Sequence, residues 1–593
     1  VLPDVPAIDK EFDYLVPEGM QVHLGDVVRI DLHGRRVGGW VVALDPRPEP
    51  GVVLKPLAKV SGRGPAPELI ELADWASLRW VGRRASFLRT ASPPGVVRQI
   101  PAAGAAGDRA DADLSTSDGE LSGALDLDRA VLRLGPGADR SSVVQAAAER
   151  QGGQTLVLCP GIAEARALGA RLRRHGLRVA VVASEGPGAA AAGEWAHAAS
   201  SATVVVGARA GAWAPAPSLA RVVVLDEHDE GYQQEQTPTW NARDVVIERA
   251  RRAGVPCMLV SPCPSLEALA WGELVVPPRS AERAAWPRIE VVDQRELDPA
   301  LGPLFSPRLV EVVRGDQRVA CVLNRTGRAR LLACGACRTL ARCTTCEAAV
   351  AMEGATEDEP EHLGCRRCGT RRPVVCTVCG GHRFKQLRLG VSRAREELAA
   401  LAGTEVGEVT AATPDADRAL RTARVLIGTE AVLHRLDAVD VVAFLDLDQE
   451  LLALRYRAAE QALGLLARAG RLVQRAAARR GADRGLVLVQ TRTPDHPAVD
   501  AALHADPGRL VRSELPMRRA LGLPPVTAVA AISGEGAEAF VSGIDGGDDV
   551  AVQGPRDGLW RVVAPDHDRL SDVLAGVPRL AARVRVEVDP LRI

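Results

Sequence analysis

The sequence predicts a multidomain α/β protein: two similar parallel-sheet lobes, the second interrupted by a cysteine-rich insertion, with a β-rich module before them and an α+β domain after. Three observations predict this. Short apolar runs alternate with Ala/Arg-rich helical stretches twice along the chain, the pattern of parallel strands joined by crossover helices. Eight of the twelve cysteines fall between Cys334 and Cys379 as four C-x-x-C pairs. At 593 residues the chain exceeds what one core holds, and roughly three to five domains are expected.

Residues 1–100 begin with short β segments between turn signals: Phe12-Asp13-Tyr14-Leu15-Val16-Pro17, Val27–Ile30 and Gly38–Ala43. A helical period follows in Leu69, Ile70, Leu72, Trp75, Leu78 and Trp80. From 101 to 128 the composition turns to Ala, Gly, Asp and Ser without an apolar period, which marks a flexible linker. The first lobe, 129–280, takes strands at Ala130–Leu134, Thr155–Cys159, Val179–Val182, Thr203–Val206, Val222–Leu225 and Met258–Val260. The second lobe, 281–333 and 383–500, takes strands at Val319–Leu323, Val425–Ile427, Val441–Leu445 and Leu486–Val489. Residues 334–382 form the insertion, and 501–593 a C-terminal domain ending in Val584–Pro590.

A C-x-x-C turn presents two thiolates to one side of a tight loop, and a tetrahedral metal needs two such turns face to face. Cys334/Cys337, Cys343/Cys346, Cys365/Cys368 and Cys376/Cys379 therefore supply ligands for two Zn²⁺ ions per chain, in closed structural sites with no position open for a catalytic water. The other cysteines, Cys159, Cys257, Cys263 and Cys321, stand singly in apolar segments, which argues against a disulfide framework. With no signal peptide or transmembrane run, a reducing cytoplasm is the expected compartment and no membrane partner is expected. Spacing leaves sequential and nested pairing of the four turns both open. His362 is expected to be a bystander, and the acidic stretch Glu353, Glu357, Asp358, Glu359 and Glu361 a solvated hairpin tip.

Net charge is −1, with 74 basic and 75 acidic residues, so any nucleic-acid surface must be a local patch. Arg366, Arg367, Arg371 and Arg372 are candidates to face phosphates. Only four of the basic residues are lysines, a bias that reflects a GC-rich coding sequence and carries no function.

Collinear blocks then carry a resemblance. They begin with Phe12-Asp13-Tyr14-Leu15-Val16-Pro17, Gly207 to Pro215 with Arg209 and Trp213, and His228-Asp229 with Tyr232. Asn241-Ala242-Arg243-Asp244, Ser265-Leu266-Glu267, Leu323-Asn324-Arg325 and the eight cysteines follow. Ile427-Gly428-Thr429, Gln490-Thr491, His496-Pro497, Leu523-Pro524-Pro525, Gly554-Pro555 and Asp589-Pro590 complete the order. Over nearly its whole length the chain resembles primosomal protein N′, the PriA family of bacterial replication-restart helicases, as an actinobacterial-like, degenerate member. The resemblance implies two RecA-like helicase lobes and nested metal sharing: Cys334, Cys337, Cys376 and Cys379 on one ion, Cys343, Cys346, Cys365 and Cys368 on the other. It implies a 1–100 module that grips the 3′ end of a nascent strand through Phe12, Asp13, Gly34 and Lys55, by base stacking and a carboxylate bond to the 3′-hydroxyl. It also implies forked and single-stranded DNA, the replicative helicase or its loader, other primosome components and single-stranded-DNA-binding protein as partners, in a nucleoid-associated setting.

The nucleotide motifs depart from that family. A P-loop needs glycine N–H groups around the phosphates, a lysine on the β/γ oxygens and a Ser/Thr on Mg²⁺. The matching stretch is Leu134-Gly135-Pro136-Gly137-Ala138-Asp139-Arg140-Ser141, in which Arg140 replaces the lysine and Asp139 the preceding glycine. A gapless count puts Leu225 at the Mg²⁺-binding aspartate, and a one-residue slip gives that place to Asp226, followed by Glu227 and His228. The Gln-x-x-Gly-Arg-x-Gly-Arg motif has become Ala467-Arg468-Ala469-Gly470-Arg471-Leu472-Val473-Gln474-Arg475, and the 101–128 linker is too short for the family's winged helix. The expectation is a fork-recognition protein for replication restart that has lost the motor, with Gly137, Arg140, Ser141, Asp226 and Glu227 as a degenerate nucleotide site and ATP/Mg²⁺ absent from its chemistry. The alternative is an ATP-dependent 3′-to-5′ DNA helicase with a divergent nucleotide site.

Overall fold

Valine-rich runs with no polar alternation form strands buried on both faces, and these runs build the two parallel sheets at the centre of the molecule. In this computed structural model the first lobe is a seven-stranded sheet in the order Glu273–Val275, Arg129–Arg133, Cys257–Ser261, Leu219–Leu225, Gln154–Leu158, Val204–Gly207 and Val179–Val182. All its neighbours are parallel. The second is six-stranded, in the order Arg288–Asp293, Leu486–Thr491, Val441–Phe444, Val319–Val322, Val425–Gly428 and Val406–Val409. Two of its strands were not legible. Arg288–Asp293 is a half-exposed alternating edge, and Val406–Val409 carries Gly407 and Glu408 in place of an apolar run.

The structure describes the chain except residues 7, 48–52, 102–122, 151, 184–187, 296–303, 325–330, 355–360, 387–390, 411–412, 414–415, 579, 581 and 593. Most of the expected linker, Arg325, and Glu357, Asp358 and Glu359 of the acidic stretch lie outside the described residues. Ala124 and Leu125, inside the stretch expected as linker, are buried in the first lobe's core.

The N-terminal sheet has the order Leu2–Pro3, Arg35–Trp40, Val27–Leu32 and Lys59–Gly62, and the Pro67–Arg79 and Arg84–Ala91 helices follow it. A continuous aromatic contact chain, Trp75, Trp80, Phe87, Trp213 and Trp240, with ring centroids 5.2 to 6.4 Å apart, ties those helices to the first lobe. The C-terminal sheet is antiparallel, in the order Ala551–Arg556, Leu559–Ala564, Ala528–Ser533 and Arg585–Val588. It returns to the N-terminal module, where the buried Arg79 pairs with the part-buried Asp589 at 3.0 Å and His567 lies 2.9 Å from the same carboxylate. No helix among the described residues is long and apolar enough to cross a membrane.

Candidate functional site

The Arg140–Glu149 helix follows the Pro136–Asp139 loop, and the chain's own side chains gather at its N-terminus. Asp139 caps this helix, accepting from the Ser141 amide at 3.0 Å and from its hydroxyl at 2.5 Å. A helix N-terminus attracts an anion, and here the anion is a side chain. The Gly137 amide donates to Ala285 O at 2.8 Å instead of facing the cleft.

Asp226, not Leu225, faces Arg140. Leu225 ends its strand with its side chain in the core, and its carbonyl accepts from Tyr232 Oη at 2.6 Å. Asp226 adopts a left-handed backbone conformation (φ 52°) and pairs with Arg140 from its own lobe. From the second lobe, Arg471 on the Ala458–Arg480 helix donates two bonds to the same carboxylate, at 2.9 and 2.6 Å. Burial pushes the Asp226 carboxyl up, but the two guanidinium groups outweigh it and hold the carboxyl well below the usual range. Glu227 turns away from the cleft, accepting from Arg243 at 3.1 Å and from the Ser265 amide and hydroxyl at 2.7 and 2.8 Å.

Similar contacts bridge the rest of the seam between lobes. Arg468 reaches Glu164 at 3.2 Å and Asp229 at 3.3 Å, Arg457 reaches Glu267 at 2.8 Å, and Glu460 accepts from the Leu266 amide at 3.0 Å. A cavity of about 590 Å³ remains beside the Pro136–Ser141 loop.

The insertion repeats one turn four times. In each pair the amide following the second cysteine donates to the carbonyl of the first: Arg338 to Cys334, Glu347 to Cys343, Gly369 to Cys365 and Gly380 to Cys376, at 2.9 to 3.1 Å. All four donating residues have positive φ, from 60° to 79°. The first cysteine's amide closes the turn onto Thr339, Ala348, Thr370 and Gly381. The sulfurs converge as two tetrads, Cys334/Cys337/Cys376/Cys379 and Cys343/Cys346/Cys365/Cys368, with sulfurs across each tetrad 3.5 to 3.6 Å apart. Tetrahedral thiolate coordination at about 2.3 Å places sulfurs about 3.8 Å apart, so both tetrads fit such an ion. Hydrogen bonding from Thr339 pulls the Cys337 thiol down to about 6. His362 belongs to neither tetrad; it lies 3.9 Å from Glu353 on the small sheet beside them.

In the N-terminal module Phe12 is half-buried, its carbonyl accepting from the Val1 amino group at 2.8 Å. Asp13 precedes Tyr14, which pairs in register with Lys55. Lys55 and the Gly34 amide both reach Asp31, at 2.8 and 3.4 Å, and Tyr14 Oη donates to the Asp31 carbonyl at 3.0 Å. Gly34 and His33, both with positive φ, make the two-residue hairpin turn beside it. Of the four expected residues the structure brings Gly34 and Lys55 together at Asp31, whereas Phe12 lies against Val1, whose strand pairs Leu2 with Trp40 at the other end of the Arg35–Trp40 strand.

Residues 1–93 match the family described as the 3′ DNA-binding domain of PriA. The chain is 30% identical over 579 residues to the probable replication restart protein PriA of Mycobacterium tuberculosis, an alignment covering 89% of this chain and 85% of that one. The chain belongs to the PriA family. The PriA of Mycobacterium leprae is 29% identical over 588 residues, covering 89% of this chain and 86% of its own. Among solved structures, a DEAD box protein from Methanococcus jannaschii aligns over 68% of this chain and 88% of its own, at 11% identity and a TM-score of 0.31.

Within this PriA-family chain, sequence reasoning missed two residues. Asp31 gave no signal, because its role appears only when the hairpin and Lys55 meet. Arg471 stood in the altered motif, and its pairing with Asp226 depends on how the lobes close.

Proposed function

We propose that this protein recognises stalled or abandoned replication forks, exposes a loading site for the replicative helicase and promotes primosome assembly, without unwinding DNA by ATP hydrolysis. Membership of the PriA family and the N-terminal match support fork binding. The single observation that carries the loss of the motor is the Asp226 cluster: Arg140 and Arg471 occupy the carboxylate that would hold Mg²⁺, and Asp139 occupies the helix N-terminus that would hold phosphate. A carboxylate at that place repels a triphosphate, and guanidinium groups paired with it are not free to move onto one.

In this reading Phe12, Asp13, Gly34 and Lys55 grip the 3′ end, and the two tetrads hold Zn²⁺ as structural ions that fix the insertion's fold. The domain limits are those stated from sequence, except that the first lobe begins no later than Ala124, whose side chain is in its core; a helicase loader and single-stranded-DNA-binding protein are the protein partners, and the nucleoid is the place of action.

Calorimetry with ATP·Mg²⁺ and an ATPase assay on forked DNA test it. No binding heat and no DNA-stimulated turnover are expected; turnover abolished by Arg140→Ala overturns it in favour of the divergent helicase. Forks with a 3′ end at the junction should bind more tightly than forks without one, and Asp13→Ala should erase the difference.

A further inference from the structure

A cavity of about 770 Å³ opens where the cysteine insertion, the Leu454-Arg455 turn of the second lobe and the C-terminal hairpin meet. Six arginines line it: Arg366, Arg367, Arg455, Arg556, Arg561 and Arg592; the single carboxylate in the lining is Asp557. Two of the six are structural. Arg367 lies 3.8 Å from Glu514 and donates to Tyr456 O at 3.2 Å, while Arg455 pairs with Glu450 and Glu230 at 2.9 and 3.2 Å.

The other four are differently placed. Arg366 and Arg556 share Glu353, at 3.2 and 3.4 Å, and Arg366 also lies 3.5 Å from Asp557. Arg561 is half-buried and bonds to the neutral Gln553 Oε1 at 2.8 Å, and burial pushes its guanidinium down with no carboxylate to offset it. Arg592 is exposed and forms no ion pair with the described residues. Four guanidinium groups thus face two carboxylates, Glu353 and Asp557, in a recess shared by three parts of the chain. A half-buried arginine without a carboxylate is costly unless an anion arrives.

No aromatic side chain lines the groove among the described residues, so base stacking is not its mode of binding. Planar guanidinium forks match phosphate oxygens, and contacts to phosphate do not read sequence. A recess of this kind admits a strand that can bend, whereas a duplex presents its phosphates on a stiff convex rod.

We propose that this groove holds the phosphodiester backbone of a single-stranded DNA segment, gripped by Arg366, Arg556, Arg561 and Arg592. It is a second DNA contact, separate from the end-binding module, and it rests on the fork-binding reading above.

The test is fluorescence anisotropy of the full-length, metal-loaded protein with a thymidine oligonucleotide of about 20 residues, its 3′ end phosphorylated to remove end recognition. The Arg561→Ala/Arg592→Ala double variant should bind about tenfold more weakly. The slope of log affinity against log salt should fall by about 1.4, from about 0.7 per lost phosphate contact. Arg561→Lys/Arg592→Lys should recover most of the affinity. Unchanged affinity and slope in the alanine variant overturn the proposal. If that variant melts early, photocrosslinking of a 4-thiothymidine strand to the wild-type protein decides: crosslinks at 366–369 or 553–561 support the groove, and crosslinks confined to 1–93 overturn it. An acidic peptide that outcompetes the oligonucleotide for the wild-type protein, and not for the variant, assigns the groove to a protein ligand and also overturns the proposal. A wild-type protein that binds no forked DNA at all fails the functional reading; one that binds forks while the alanine variant keeps full single-strand affinity fails only this inference.

Discussion

The Asp226 cluster in the cleft between lobes and the cysteine insertion each gather charged or ionisable side chains, and they differ in what completes them. In the cleft, protein groups answer protein groups: Asp226 is shared by Arg140 and Arg471, and Asp139 caps the helix a phosphate would otherwise cap. In the insertion, eight sulfurs converge in two tetrads held by four copies of one turn, and the partner that completes them must come from outside the chain. A site converted to internal pairing gains rigidity between lobes and loses exchange; a site kept for a metal keeps its folding tied to that metal.

The comparison breaks first where the metal does. Chelation should unfold the insertion while the parallel sheets persist, because a closed thiolate site contributes of order 10 kcal/mol to the fold it organises. Metal analysis with limited proteolysis reads this. Two ions are expected in the wild type, one in Cys334→Ser/Cys379→Ser and none in Cys334→Ser/Cys343→Ser. One ion in that last variant would mean sequential pairing.

The cleft breaks next. Asp226→Ala leaves the buried Arg471 and the part-buried Arg140 facing each other without their carboxylate, and a loss of about 3 kcal/mol is expected, read as a lowered melting temperature. The same carboxyl sets an acid limit. Its folded pKa is depressed, so its contribution is complete above the unfolded value of about 4 and is lost as pH falls further toward the folded value. The clasp should therefore hold throughout the neutral and mildly acidic range.

A smaller effect lies at the seam between the second lobe and the insertion. Burial lowers His496 to about 4, with Arg342 and Arg367 adding to the shift, and its Nδ1 accepts from the Ala498 amide at 3.2 Å. The unfolded chain binds a proton that the folded one refuses between about 4 and 6.5, so stability should rise with pH across that window. His496→Asn keeps a helix cap and should flatten this part of the melting profile.

The smallest effect sharpens the comparison from within the insertion. Glu347 holds the left-handed position that Gly369 and Gly380 hold in two of the other turns. Glu347→Gly should relieve about 0.5–1 kcal/mol of strain, seen as slower metal loss to a competing chelator. No change would mean that the Arg342–Glu347 pair at 2.9 Å offsets the strain.

Legibility followed the range of the interaction. Val204–Gly207 and Val425–Gly428 were readable because a strand buried on both faces must be apolar at every position. That Asp139 and Arg140 stand where the family's loop has glycine and lysine was readable, because it needs only the order of residues along the chain. Whether Leu225 or Asp226 faces Arg140 was not readable, since one residue of slip along a strand exchanges the inward and outward faces. Nor was the division among the insertion's arginines: Arg367 and Arg372 spend donors on backbone carbonyls, whereas Arg366 opens to the groove.

By itself the sequence determined the two parallel lobes, the four cysteine turns and the Asp139 cap at the start of the Arg140–Glu149 helix, each set by neighbours within a few residues. Tertiary structure decided which turns share a tetrad, which acid meets Arg140, and which side chains bridge the cleft. Arg140 and Arg471 stand 86 and 245 residues from Asp226 along the chain. Spacing fixes what a segment can present; only the packing of the lobes fixes what it meets.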